Sequence, residues 1–192
     1  MLILILGLVI FLGVHSVRIV ADEWRDSMIA KLGEKSWKIA YAIVSAIGFV
    51  LIVYGFGRAR LDPTELWRAP LWLHHVAGLL VAISFILIVA AYVPGTRIKA
   101  AIGHPMVAGV KVWAFAHLLV NGMLSDLVLF GSFLVWAIFD FTSARKRDRL
   151  AGRQYTSGPA WRDAITVVIG LVAWGVFAHW LHGPLIGVAP RL

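Results

Sequence analysis

Long apolar runs separated by short polar connections set the pattern of this chain. The runs cover Met1–Val20, Trp37–Phe56, Pro70–Val93, Pro105–Asn121, Leu124–Phe141 and Trp161–Leu181. Each is close to the roughly 20 predominantly apolar residues that carry a helix across a hydrocarbon core. The pattern predicts an all-α fold, a polytopic membrane helical bundle of about six transmembrane helices, forming one integral-membrane domain over residues 1–192. The first run has no basic residue ahead of its apolar core and no Ala-x-Ala cleavage site, and Arg18 follows it. It therefore reads as a retained helix rather than a removed signal peptide.

The connections carry their own signals. "ADEWRDSMIAKLGEKSWK" (21–38) spaces Trp24, Met28, Ile29 and Leu32 at near-helical intervals among charges, which predicts an amphipathic segment on the membrane surface that stops at Gly33. "GRARLDPTELWRAP" (57–70) holds two prolines and is no span. "FTSARKRDRLAGRQYTSGPAWRD" (141–163) reads as a basic loop broken by Gly152, Gly158 and Pro159. Trp37, Trp67, Trp72, Trp161 and Trp180 fit the aromatic belt at the membrane interfaces.

Composition agrees: 60% of residues are hydrophobic, above the roughly 45–50% of soluble domains. A net charge of +8 would suggest nucleic acid in a soluble protein. Here the cations sit between spans and act as topology signals. Of the 18 Lys and Arg residues, thirteen fall in the connections after spans one, three and five, and four (Arg58, Arg60, Arg68, Arg191) on the other side. By the positive-inside rule both termini face away from the cytoplasm, and the basic loop attracts anionic membrane lipids. With no cysteine, thiolate metal sites, covalent haem attachment and cysteine nucleophiles are excluded, so a metal would use histidine or carboxylate.

Polar groups inside spans are the functional candidates, since a Lys or Asp at a helix centre costs roughly 2.5–3.5 kcal/mol. They are His15, His75, Lys111, His117, Asn121, Asp126, Asp140 and His179. Asp126 and Asp140 lie near opposite ends of span five and read as structural; His74 and His182 also lie near span ends. Pro105 is suited to start a helix, which puts His104 at its cap, with Lys111 on the same face. His117 lies roughly 18 Å deeper than Pro105, with Trp113 and Asn121 as its neighbours one turn away. Two histidine levels result: His15 and His104 on the basic side, and His75, His117 and His179 deeper. Neutral imidazole is a common metal ligand, and two histidines on facing helices can clamp a haem iron in an apolar slot.

"LGEKSWKIAYAIVSAIGFVLIVYGFGRAR", "AAYVPGTRIKAAIGHPMVAGVKVWAFAHLLVNG", "LFGSFLVWAIFD" and the terminal "HGPLIGVAP" closely resemble the NnrU family of membrane proteins, over nearly the whole chain. That resemblance implies residence in the bacterial inner membrane and a link to nitrite and nitric oxide metabolism. It also implies kinship with 15-cis-zeta-carotene isomerase, which uses haem b held by two histidines to isomerise a carotenoid. Carried over, the ligand positions fall on His15 ("HS") and His117, thirteen residues after the "HP" histidine. By helical rise their levels differ by about 10 Å, so the pair would be tilted, and His75 is the rival partner for His117. Gly103 stands where the family would be expected to carry a basic residue. The implied function is a haem-b membrane protein, either an isomerase of a lipophilic polyene or a nitric-oxide-linked component.

Two other classes stay open. "HP" at a helix start also resembles integral-membrane S-adenosylmethionine-dependent methyltransferases, although no Glu follows Glu65. A cofactor-free assembly partner of a respiratory enzyme is the third.

Overall fold

The computed structural model describes residues 1–190; Arg191, counted above among the topology signals, lies outside them. The elements in chain order are α1 (Leu2–Val20), α2 (Asp22–Leu32), α3 (Glu34–Ala59), α4 (Leu71–Tyr92), α5 (Arg97–Ile102), α6 (Pro105–Val120), α7 (Leu124–Leu150), α8 (Trp161–Val176), a π-helical turn (Phe177–Leu181) and α9 (His182–Ile186). The chain is an all-α membrane bundle. Five helices are long and apolar enough to span, the fifth running from Trp161 to Ile186 through the π turn. The sixth expected span, α6, has 16 residues and reaches only about 24 Å, but it lies lengthwise between α4 and α7.

Several boundaries move. α7 continues nine residues past the expected end at Phe141, through "TSARKRDRL". Hydropathy ends there, but no helix breaker occurs before Gly152, whose φ is +60°. The surface segment is the separate helix α2, stopped at Gly33 (φ +82°) as its pattern predicts. α5 and the π turn carry no periodic signal of their own and were not anticipated.

The helices form an open arc in which α3 packs on α1, α1 on α7, α7 on α6, α6 on α4 and α4 on α8. Among the described residues α3 and α8 do not pack along each other; Arg60, capping α3, ties across to the C-terminal segment by donating to the Ile186 carbonyl at 2.9 Å. The chain exposes 11504 Å², against about 9,000 Å² expected of a water-soluble monomer of 21.1 kDa. The surplus is mostly apolar side chain on the outer helix faces, which suits a lipid solvent.

Small residues set the closest packing. α1 and α3 run antiparallel with Leu4 against Gly55, Gly7 against Ile52 and Phe11 against Gly48. A Cβ on Gly48 would lie 2.8 Å from the Phe11 nitrogen, and one on Gly55 would collide with the backbone at Leu4. Such contacts replace the hydrophobic drive that helices lack within lipid. The α4–α6 contact is fixed by Ser84, fully buried, whose Oγ donates to the Gly109 carbonyl at 2.8 Å. The core of Leu4, Leu8, Ile52, Leu129 and Phe130 fills the junction of α1, α3 and α7.

Candidate functional site

α7 is the wall against which two histidines are set, one from each neighbouring helix. His117, in the last turn of α6, is half-buried and stacks on Phe130 of α7 with ring centroids 4.6 Å apart. Trp113, one turn back, lies 5.1 Å away. The Nδ1 of His117 meets the Trp113 carbonyl at 2.8 Å, so a proton on Nδ1 is donated there and Nε2 keeps a free lone pair.

His15 repeats the arrangement on α1. Its Nδ1 meets the Phe11 carbonyl at 2.6 Å, and its ring stacks on Phe11 at 4.2 Å. The α1–α3 register brings Tyr41 within 5.2 Å, and Trp136 of α7 closes the other side at 6.0 Å, edge-on. Around this ring the membrane interior turns polar. Ser45 lies one turn beyond Tyr41, and Asp140 one turn beyond Trp136. The Nε1 of Trp136 and the Oγ of Ser45 are buried without a hydrogen-bond partner among the described residues. An indole N–H and a hydroxyl left unpaired in a bundle core are costly, and a ligand with a polar edge would satisfy them.

An aromatic bridge joins the two histidines: Phe11 lies 5.9 Å from Phe133, and Phe133 lies 5.6 Å from Trp113. α7 also serves as a ruler. Phe130 beside His117 and Trp136 beside His15 are six residues apart, or about 9 Å of helix. A line through both imidazoles is therefore tilted to the membrane plane, as the sequence register implies.

The other candidates lie outside this cluster. His75, in the second turn of α4, is exposed and makes no side-chain hydrogen bond among the described residues. His179 is exposed on the π turn beside Trp180, with its Nδ1 at 3.0 Å from the Gly175 carbonyl. Asn121 caps α6 through its backbone, its N–H donating to the His117 carbonyl at 2.9 Å. Asp126 accepts from the Met123 N–H at the start of α7, the structural part expected of it. His182, near the end of the last span, packs its ring edge-on to Phe177 at 5.8 Å. Its Nδ1 meets the Val188 carbonyl at 2.6 Å.

His104 and Lys111 both face the basic half of α7. His104 caps α6 and pairs through Nε2 with Asp148 Oδ2 at 2.7 Å. Lys111 sits over the Phe141 ring with Nζ 4.4 Å from its centroid. Tyr155 donates its hydroxyl to the same Asp148 oxygen at 2.8 Å. Sequence reasoning missed Asp148 and Tyr155, although Asp148 is the one acid within "ARKRDR". Replacing Asp148 with Ala should release the connection after α7. The loss of roughly 1 kcal/mol expected for a part-buried partner of two hydrogen bonds should appear as trypsin cleavage after Arg153 accelerated about fivefold. Burial, and then the hydrogen bond to Asp148, raise the Tyr155 phenol above its usual range. A raised value means its contribution is complete at neutral pH and is lost as pH climbs through it. An absorbance titration of tyrosinate should lose one late-titrating phenol in Tyr155→Phe.

Among the described residues no group of three or more His, Asp or Glu side chains is placed to hold a metal ion. The family model described as NnrU protein matches residues 3–190. No curated protein matches the chain, and no solved structure does.

Proposed function

Because the chain belongs to the NnrU protein family, we propose that it is an integral-membrane haem-b protein in which His15 and His117 would hold the haem, acting on a lipophilic polyene by cis–trans isomerisation. The observation that carries this reading is that two half-buried histidines, on helices flanking α7, are fixed alike. Each Nδ1 is tied to the carbonyl four residues back, at 2.6 and 2.8 Å, and each presents Nε2. That is how a protein sets the tautomer and orientation of a metal-bound imidazole.

The surrounding residues suit such a group. Phe11, Trp113, Phe130 and Phe133 offer rings for a macrocycle to lie against and keep water out. Trp136 Nε1 and Ser45 Oγ supply unpaired donors for its polar edge, on the His15 side. If held by His15 and His117, haem would supply an iron able to draw electron density from the cis bond of the polyene and ease rotation about it. His75, exposed and unanchored, is the weaker partner for His117. The open arc lets a substrate dissolved in the bilayer approach without crossing water. With the basic face toward the cytoplasm, both ends of the chain lie on the far side of a bacterial inner membrane.

The test is conversion of a cis-polyene by the purified, haem-supplemented protein under reducing conditions. Wild type should turn the isomer over, and His117→Ala, inserted at equal level, should lose at least about tenfold in rate, or about 1.4 kcal/mol of barrier. Equal turnover by both proteins would refute the assignment of His117.

A further inference from the structure

α7 has 27 residues and is about 40 Å long, against a hydrocarbon core of about 30 Å. With its apolar part in the core, its basic last turns stand among lipid headgroups. There a cavity of about 380 Å³ opens between α5, the end of α7 and the connection that follows. The small residues Ala100, Ala101 and Gly152 line part of it. Three arginines line it, Arg145, Arg149 and Arg153, together with Gln154.

The one lining carboxylate, Asp148, is already engaged. Its Oδ2 is held by His104 at 2.7 Å and Tyr155 at 2.8 Å, and its Oδ1 faces Arg153 Nε at 3.9 Å. Arg145 uses Nη1 on the Ile102 carbonyl at 3.2 Å and keeps its other donors. Arg149 makes no ion pair or side-chain hydrogen bond among the described residues. The cavity thus holds a positive charge without a matching anion, presented by forked donors whose geometry fits phosphate oxygens in pairs.

We propose that this cavity binds a phosphate group at headgroup level, carried either by an anionic lipid or by a soluble phosphomonoester. It differs from the diffuse attraction of a polybasic segment for an anionic surface, because three arginines border one open cleft. Lys146, in the same basic run, does not line it. The site is separate from the His15 and His117 cluster, so each stands or falls alone.

The experiment is thermal unfolding of the full chain in neutral detergent micelles, with two probes. One arm adds glycerol 1-phosphate; the other mixes phosphatidic acid into the micelles, with phosphatidylcholine as the blank. Wild type should gain several degrees in at least one arm. A gain only with the soluble probe identifies a phosphomonoester, and a gain only with phosphatidic acid identifies a lipid headgroup. Arg149→Gln, at an exposed residue with no partner to lose, should keep the unliganded midpoint and forfeit most of the gain. Arg149→Gln/Arg153→Gln should forfeit all of it, while Lys146→Gln retains it. No gain in either arm, or an equal loss in Lys146→Gln, overturns the proposal.

Discussion

Replacing His117 with Ala is expected to convert the haem-loaded protein from a six-coordinate, low-spin spectrum to one with a broadened, shifted Soret band and no sharp band on reduction. His15→Ala should do the same, and His75→Ala should change nothing. The ground is local: His15 and His117 have a ring nitrogen tied to their own helix at 2.6 and 2.8 Å and stack on Phe11 and Phe130, whereas His75 has neither restraint. Losing one of two axial ligands should weaken haem retention at least about tenfold, some 1.4 kcal/mol. Free imidazole should restore the spectrum of either alanine variant, because the removed side chain leaves a space of its own shape. If His75→Ala abolished the spectrum and His15→Ala did not, the second ligand would be on α4.

The second large effect is expected from a residue that touches no ligand. Gly55→Leu places a side chain where the backbone of α1 passes at Leu4. Overpacking in a tight core costs about 1–3 kcal/mol, and a collision with backbone, which cannot rotate away, belongs at or above the top of that range. The unfolding midpoint in detergent should fall steeply. Gly48→Leu should be milder in stability but harsher on the site, since the atoms it meets are those of Phe11, 2.8 Å away at the nitrogen, and Phe11 supports His15 through both its ring and its carbonyl. Gly13→Leu is the control. It lies on the same helix, exposed, with nothing within 4 Å of its Cβ position, and it should be tolerated.

What could be read in the sequence follows from the range of the force that writes it. Apolar runs record contact with lipid residue by residue, so the spans, the stop at Gly33 and the start at Pro105 were legible with His104 as cap. The end of α7 was not, because solubility and helix formation part company at Phe141: Ser143–Leu150 leaves the apolar phase while remaining good helix. Long-range pairings leave no local trace. The meeting of His104 with Asp148, 44 positions apart, depends on how α6 and α7 lie side by side. The polar neighbours of His15 were hidden likewise: Tyr41, Ser45 and Trp136 each pass for ordinary span residues until the α1–α3 register and α7 bring them around one ring. The family resemblance named His15 and His117, and what the structure adds is that both anchored rings are half-buried and stacked on Phe11 and Phe130 beside α7, whereas the equally anchored His179 is exposed.

The central claim is that these two imidazoles hold one haem, and the visible absorption spectrum of the purified wild-type protein after haem supplementation tests it most directly, recorded oxidised and then reduced. The account predicts a Soret band that sharpens and shifts on reduction, with the resolved α and β bands of a six-coordinate, bis-histidine iron. A protein that inserts and purifies normally but shows no Soret band under those conditions would contradict it.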